Sequence, residues 1–256
     1  MDRSAQPGNP QPMSQSLDLF PIGNCAASAL IDRAGRFVWS CFPRVDGAPA
    51  FSALLGGDTQ AERGFWAVEA EETASIRQAY LRNTPILSTE VTDVSGAVFQ
   101  VIDFAPRYRQ FGRVYRPMSF IRIVRPISGT PHIRIRMRPT GCWGAAEINV
   151  TTGSNHLRYV GGEVTLRLTT DAPVSHIASE RLFRLEEPLA MFLGPDEGIE
   201  AGLSAPAERM LHETTAYWRS WVRTLSIPLE WQGGGIRPAI TPKLCAHEGT
   251  GALVAA

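Results

Sequence analysis

The sequence has no excess of charge of either sign. Its 256 residues include 25 basic and 25 acidic side chains, which gives a formal net charge of zero at pH 7. Domains that bind nucleic acid or anionic membranes present a basic surface, and a balanced composition does not favour one. We therefore expect neither nucleic acid nor a membrane among the partners. With 44% hydrophobic residues, the chain has enough apolar side chains for a folded core, and its length suits one or two domains.

Long apolar runs are also absent. No segment approaches the roughly 18 consecutive apolar residues of a membrane-spanning helix. The N-terminus is rich in Pro, Gln and Ser, where a secretory signal peptide would need an apolar stretch. We expect residues 1–16 to be a disordered tail, because they carry too few apolar groups to offset the entropy lost on ordering. We also expect a cytoplasmic location.

Cysteine is scarce, and its four positions lie far apart. None of the spacings is the close paired spacing of a zinc site or a redox motif. The histidines show no metal-ligand spacing either. The sequence therefore predicts no metal site, and it predicts free, buried, reduced thiols at Cys25, Cys41, Cys142 and Cys245.

From about residue 17 to residue 204, short alternating runs are broken by Gly, Pro and Asp, a pattern typical of antiparallel strands. In one predicted hairpin, Asp32 and Gly35 occupy the first and last positions favoured in a type I turn. Phe37, Trp39 and Cys41 then alternate with their neighbours. The same alternation occurs in GAVFQVIDF (96–104), MSFIRIVRP (118–126), HIRIRMRP (132–139) and HLRYVGGEVTLRL (156–168).

These strands follow one another without helical segments between them. In the last run, Gly161 and Gly162 suit a two-residue hairpin turn that needs positive φ. The absence of strand–helix alternation argues against a parallel α/β sheet. The sequence predicts a mainly β fold, a large antiparallel β-sandwich over residues 17–204.

The pattern changes near Ser204. Apolar residues then recur at helical spacing, and Pro206 lies in the first turn, where its missing N–H costs nothing. This predicts a linker helix over residues 205–225, with one apolar stripe made of Leu211, Trp218, Trp221, Val222 and Leu225. Pro228 and the run Gly233–Gly235 then predict a linker within residues 226–256.

Several segments together resemble glycoside hydrolase family 15, the bacterial and archaeal glucoamylase and trehalase-like proteins. The longest is IGNCAASALIDRAGRFVWSCFPRVDGAPAFSALLGG, residues 22–57. The others are GFWAV (64–68), VFQVIDFAP (98–106), YWRSWV (217–222), and KLC followed by TGALVAA near the end. The resemblance covers the chain from about residue 17.

The resemblance implies a sandwich that is joined through a helical linker to a catalytic barrel of paired α-helices. It further implies inverting hydrolysis of α-linked glucosides such as trehalose or malto-oligosaccharides, without metal or organic cofactor. The general acid and general base glutamates of the family belong to the barrel. Residues 226–256 are expected to be only the truncated start of that barrel, so no catalytic residue is nominated and the chain alone is predicted to be inactive.

Two prolines are at odds with this start of a barrel. Pro238 and Pro242 fall within its expected first helix, where each would remove a hydrogen bond at a cost of about 3 kcal/mol. The family pattern has no proline at either position. Two alternatives to a hydrolase domain therefore stay open: a stand-alone carbohydrate-binding or interaction module, and a non-functional gene remnant.

The loop FPRVDGAPAF, residues 42–51, is the best candidate for substrate binding. It combines a guanidinium, a carboxylate, prolines and phenylalanines. By the resemblance, Arg44 and Asp46 lie near the substrate cleft; alternatively, the two residues only tie down the loop. Asn24 has the same two interpretations, substrate contact or a turn residue.

Two further groups admit a binding role and a structural one. His132, Arg134, Arg136 and Arg138 share one strand face, which could bind an anion but is more often a solvated face or one covered by a partner domain. Trp218 and Trp221 could stack on a sugar ring. Their place on the apolar stripe of the helix favours a core role instead.

Overall fold

The computed structural model describes most of the chain: residues 18–56, 62–199, 202–228, 232–248 and 251–253. The tail expected at residues 1–16 lies outside the described residues. Among the described helices, none combines the length and the apolar composition that crossing a bilayer requires.

Strands make up most of the regular structure. In chain order they are β1 (Phe20–Gly23), β2 (Ser28–Ile31), β3 (Phe37–Cys41), β4 (Pro49–Phe51), β5 (Phe65–Ala70), β6 (Thr73–Tyr80), β7 (Leu87–Asp93), β8 (Val98–Phe104), β9 (Tyr108–Gln110), β10 (Arg113–Tyr115), β11 (Phe120–Ser128), β12 (His132–Arg138), β13 (Asn149–Thr152), β14 (His156–Val160), β15 (Leu166–Thr170), β16 (Phe183–Arg184), β17 (Leu189–Pro195), β18 (Ala246–His247) and β19 (Ala252–Leu253). The α-helices are α1 (Val174–Ala178), α2 (Ser204–Val222) and α3 (Gln232–Cys245).

Two antiparallel sheets form the sandwich. The seven-stranded sheet has the order β1-β2-β3-β5-β12-β16, with β4 paired to β3. The eight-stranded sheet has the order β13-β14-β15-β17-β11-β8-β7-β6. Side chains from both sheets meet in one large core. The alternation in β12 shows the principle, because Ile133, Ile135 and Met137 are buried while the residues between them face outwards. The predicted mainly β sandwich is confirmed.

The hairpin predicted at Asp32–Gly35 is β2–β3. The Asp32 carboxylate accepts hydrogen bonds from the backbone N–H groups of Ala34 and Arg36, each at 2.9 Å. Gly35 has φ +76°, a left-handed conformation that favours glycine. The two-residue turn predicted at Gly161 and Gly162 is wrong, because residues 161–165 connect β14 to β15. Gly161 does take positive φ, but the longer loop sets the strand register.

The helix predicted at residues 205–225 is α2, which begins at Ser204 and ends at Val222. Its first half covers the outer face of the eight-stranded sheet through a cluster that includes Phe104, Ile121 and Phe192. Trp218 is fully buried, which supports the core role for this side chain.

A linker was predicted from Pro228 and the run Gly233–Gly235, and for the glycine run this prediction is wrong. Gly233–Gly235 lie in the first turn of α3, and the helix continues through Pro238 and Pro242. Tertiary packing accounts for this, since Ile240 and Leu244 are buried against α2. Intrinsic propensity is a weak preference that such packing overrides.

Arg237 of α3 fixes the helix to the sandwich. Its guanidinium donates hydrogen bonds to the backbone oxygens of Thr84 at 3.2 Å and Pro21 at 3.3 Å. It also lies 3.3 Å from the ring centroid of Tyr80, whose hydroxyl donates to the same Pro21 oxygen. The segment after α2 is therefore docked on the β-sandwich.

All four cysteines are free, as predicted, but only two are buried. Cys25 and Cys41 lie inside the protein, whereas Cys142 and Cys245 are exposed. The prediction of burial fails for the latter pair because one belongs to a surface turn and the other ends α3.

Candidate functional site

The loop 42–51 is held at both ends and exposed in the middle. Phe42 and Phe51 are buried, and Phe42 packs edge-on against Phe120 with ring centroids 5.9 Å apart. Within the loop, the backbone N–H of Gly47 donates to the Arg44 oxygen at 3.0 Å. The loop is therefore a fixed turn that presents its central side chains to solvent.

Arg44 and Asp46 contact each other at the tip of this turn. The guanidinium Nε and Nη2 donate to the two carboxylate oxygens at 2.9 and 2.8 Å. This hydrogen bonding, together with the carboxylate charge, raises the pKa of Arg44 above its usual value. Both side chains are more than half exposed. The pair ties the loop down, and both side chains can be reached from solvent, so the geometry is compatible with both interpretations.

A shallow cleft that is open to solvent lies beside the loop. Its lining includes Phe42, Pro49, Pro139, Tyr159 and Glu163. Glu163 reaches the loop, since a Cβ added at Gly47 would lie 3.3 Å from its Oε2. Burial raises the pKa of the adjacent Cys41 thiol to about 11, with further contributions from the carboxylates of Asp46 and Glu163. The cleft thus combines a mainly apolar lining with one carboxylate, that of Glu163.

An exposed tryptophan stands next to this cleft. Trp143 is 63% exposed, and its ring centroid lies 6.2 Å from that of Trp39. Cys142, Trp143 and Gly144 all take positive φ, of 47°, 60° and 90°. For residues other than glycine this conformation costs roughly 1–2 kcal/mol each. Sequence reasoning missed Trp143; the available signal was a lone Trp in the glycine-flanked string GCWG.

Asn24 lies away from solvent and is fully hydrogen-bonded. Its side-chain nitrogen donates to the backbone oxygens of Pro106 at 2.9 Å and Pro117 at 2.7 Å. Its side-chain oxygen accepts from the N–H groups of Ala26 and Ala27. With no exposed surface, Asn24 has the contacts of a turn residue and offers no free polar atom to a substrate.

A second polar cluster, also missed from the sequence, surrounds Glu248. Its carboxylate pairs with Arg107 at 2.5 Å, Lys243 at 2.7 Å and Arg116 at 3.4 Å. Arg107 is almost completely buried, donates to the backbone oxygen of Asn24 at 2.7 Å, and lies 4.8 Å from the ring centroid of Tyr217. The cluster joins the sandwich, α2 and the segment after α3.

The environment of Glu248 favours its charged form. Partial burial by itself raises the pKa of the carboxyl, but the hydrogen bonds and charges of Lys243 and Arg107 outweigh it and place the pKa below the usual value. The carboxylate is therefore ionised throughout the neutral range and holds its cationic partners.

The strand face made of His132, Arg134, Arg136 and Arg138 carries its own counter-ions. Glu69 contacts Arg134 at 3.2 Å and Arg136 at 3.4 Å. Glu180 contacts Arg136 at 3.2 Å and Arg138 at 2.6 Å. These pairs leave little basic charge for an anionic ligand. Within the part of the chain that the structure describes, no cluster of three His, Cys, Asp or Glu side chains has the arrangement of a metal site.

Comparison with known proteins gives a consistent result. Residues 14–185 match the family model described as trehalase-like, N-terminal. The chain is 24% identical over 243 residues to a trehalase of Thermoplasma volcanium, an alignment that covers 92% of this chain and 38% of that protein. It is 23% identical over 236 residues to a trehalase of Thermoplasma acidophilum, covering 89% and 39%. The chain thus spans about two fifths of the length of these curated relatives. No solved structure matches the chain.

Proposed function

The chain belongs to the trehalase-like N-terminal domain family, and from this membership we propose that it is the N-terminal β-sandwich domain of a family 15 glycoside hydrolase. The bond hydrolysed is an α-glucosidic bond, of the glucoamylase or trehalase type. Its role is to pack against a catalytic α/α barrel and to shape one wall of the substrate cleft. The observation that carries the proposal is the family match, together with alignments that cover only 38% and 39% of the two trehalases.

The catalytic carboxylates belong, on this proposal, to the barrel. Glycoside hydrolysis by inversion needs a general acid and a general base about 6.5–9.5 Å apart, with room for a water molecule. The 256-residue chain by itself is proposed to be inactive. The free thiols of all four cysteines fit a reducing, cytoplasmic compartment.

Within the chain, we assign substrate contact to Arg44 and Asp46. They are exposed, fixed by the loop and adjacent to the cleft that Glu163 borders. A guanidinium and a carboxylate are suitable hydrogen-bonding groups for sugar hydroxyls. Asn24 acts instead on the shape of the domain, because its side chain holds two proline carbonyls in place.

The test is a chimera in which this chain replaces the matched segment of the Thermoplasma volcanium trehalase. The chimera is expected to hydrolyse trehalose or maltose, whereas the 256-residue chain alone gives no turnover. Arg44→Ala in the chimera is expected to raise KM with kcat unchanged, the sign of lost substrate binding. Arg33→Ala is the matched control, because Arg33 is also an exposed arginine paired with an aspartate, Asp18.

Turnover by the chain alone would contradict the proposal. So would a chimera that folds, as shown by a cooperative calorimetric transition, and yet hydrolyses no α-glucoside. Equal KM values in the two arginine variants would remove Arg44 from the substrate site while leaving the domain assignment in place.

The exposed Trp143 favours a second candidate, a stand-alone carbohydrate-binding module. Exposed aromatic rings stack on the apolar faces of sugars, and the ring stands beside a cleft that the Glu163 carboxylate borders. Titration of the chain with trehalose and with maltose, followed by tryptophan fluorescence, separates the two candidates. Saturable quenching that Trp143→Ala abolishes would support the module.

A further inference from the structure

The hairpin β9–β10 carries an unusual side chain at its tip. Arg113 pairs with Gln110, so the turn consists of Phe111 and Gly112 alone. Both take positive φ, of 49° and 73°, the conformation that a two-residue hairpin turn requires. Asn or Asp is the ordinary first residue of such a turn, and a bulky aromatic residue is strained there. Phe111 is nevertheless 93% exposed, so it gains no packing within the described structure that would offset this strain.

The base of the hairpin, unlike its exposed tip, is held in place by several contacts. Tyr108 is buried and its ring centroid lies 5.0 Å from that of Tyr115, which closes the hairpin across its two strands. Arg107 and Arg116, the residues just before β9 and just after β10, both pair with Glu248. The two ends of the hairpin are therefore anchored to one carboxylate, and Phe111 is presented on a rigid projection.

Two arginines flank the tip, while the carboxylates of Glu213 and Glu197 lie nearer its base, close enough to act on Tyr108 and Tyr115. Arg109 and Arg113 are exposed, and neither pairs with an acidic side chain of the described residues. A partner surface that fits would offer an apolar pocket for the phenylalanine ring and an acidic rim for the two guanidinium groups. An interface anchored by a buried aromatic side chain and flanked by arginine has this composition.

The position of the hairpin indicates which partner meets it. Glu248 lies between α3 and β19, at the end of the described chain, and its side chain binds both ends of the hairpin. The family model that matches is described as N-terminal, and the alignments cover only about two fifths of the two trehalases. On the proposed function, the rest of the longer hydrolase therefore follows the segment that contains Glu248.

We propose that residues 108–115 form a docking finger for the catalytic part of the longer hydrolase, with Phe111 inserted into an apolar, acid-rimmed pocket on that part. The inference rests on the proposed function, and it goes further by naming the element and the side chain that make the contact. It explains why a strained aromatic residue occupies a turn where Asn would be easier to accommodate.

The direct test is photo-crosslinking in the chimera with the Thermoplasma volcanium trehalase. Phe111→p-benzoylphenylalanine keeps an aromatic side chain and reacts with whatever it touches. The adduct is expected on the trehalase portion, mapped by mass spectrometry. The matched control is Ile127→p-benzoylphenylalanine, because Ile127 is also an exposed apolar residue but lies near the far end of β11, about 23 Å along the strand from Phe120. No adduct on the trehalase portion is expected there.

A second variant separates docking from the folding of the domain itself. Phe111→Asn relieves the strain at the turn, so the unfolding midpoint of the 256-residue chain is expected to stay the same or to rise. In the chimera the same variant is expected to lower kcat/KM about tenfold. A fall in the midpoint for the chain alone would assign Phe111 to the fold of the domain and would overturn the proposal.

Two failures can be told apart. If the chimera with Phe111 hydrolyses its substrate and the Phe111→Asn chimera does so equally well, with no adduct at position 111, the docking finger is wrong and the domain assignment stands. If the folded chimera with Phe111 is inactive, the proposed function fails. The docking finger then fails as well if no adduct forms at position 111, whereas an adduct on the trehalase portion would still support it.

Discussion

Arg122 and Asp103 form a fully buried ion pair at directly opposite positions of β11 and β8. The guanidinium Nε donates to one carboxylate oxygen at 2.7 Å and Nη2 to the other at 3.2 Å. Its remaining donors reach the seven-stranded half of the molecule, at the backbone oxygens of Trp66 and Gly35. The guanidinium also lies 4.9 Å from the ring centroids of both Phe37 and Trp66. One side chain thus links the two sheets.

Breaking this pair is expected to be costly. Arg122→Met leaves an unpaired carboxylate in the core and should lower the free energy of unfolding by about 3–5 kcal/mol. Because each single variant leaves the other charge buried, the double variant Asp103→Leu, Arg122→Met should cost less than the sum of the two single ones. Urea denaturation of all four proteins measures this coupling, and strictly additive losses would contradict it.

The Glu248 cluster is expected to make stability depend on pH. Because the folded protein lowers the pKa of Glu248, its contribution is fully present above the unfolded pKa of about 4.3 and is lost as the pH falls through the lower, folded pKa. Glu248→Gln should therefore destabilise the chain at pH 7, by about 3 kcal/mol because it leaves the buried Arg107 unpaired.

This difference between the wild-type protein and Glu248→Gln should shrink below about pH 4.3 as the wild-type carboxylate becomes protonated. Chemical denaturation of both proteins between pH 3 and pH 8 tests this prediction, because that range brackets the pKa of about 4.3 of an ordinary Glu side chain. A difference that is independent of pH would show that Glu248 acts through packing alone.

The prolines of α3 are expected to limit its stability. Pro238 and Pro242 lie inside the helix, where each removes a backbone hydrogen bond. Pro238→Ala and Pro242→Ala should each stabilise the chain, by up to about 3 kcal/mol. Pro206→Ala is the matched control, since Pro206 occupies the first turn of α2 and its missing N–H has no helix partner there. Thermal unfolding should show higher midpoints only for the first two variants.

The four thiols are expected to react in two classes. Cys142 and Cys245 are exposed, so a thiol reagent should modify them in the native protein. Cys25 and Cys41 should react only after unfolding, because both are buried and burial raises the pKa of each thiol, that of Cys41 to about 11. In a titration with Ellman's reagent, we expect two thiols to react rapidly in the native protein and two more to react after denaturant is added. Four fast equivalents would mean that the core opens.

The strands that the sequence predicted are those whose pattern is complete within a few residues. Alternation in GAVFQVIDF and HIRIRMRP corresponds to β8 and β12, and the stripe after Ser204 corresponds to α2. Each depends on a local period, two residues for a strand and 3.6 for a helix, that sets which side chains face the core. The family resemblance came from the same contiguous runs, and the family match confirmed it.

The candidate site was only partly visible in this way. The loop with Arg44 and Asp46 was identified because its chemistry is contiguous, whereas Trp143 and Glu163 join it from distant positions. Asn24 was chosen for its residue type. Only the tertiary structure shows that its side-chain nitrogen is already hydrogen-bonded to the backbone oxygens of Pro106 and Pro117.

The sequence by itself therefore determined the antiparallel β-sandwich, the helix that follows it and the family, since each is written in local periodicity or in contiguous motifs. The tertiary structure alone decided that α3 runs through glycines and prolines, because packing against Trp218 outweighs their helix propensity. It alone paired Arg107 with Glu248 across 141 residues and left Phe111 without cover on an anchored hairpin. Contacts between distant residues depend on how the chain packs, which a local pattern does not specify.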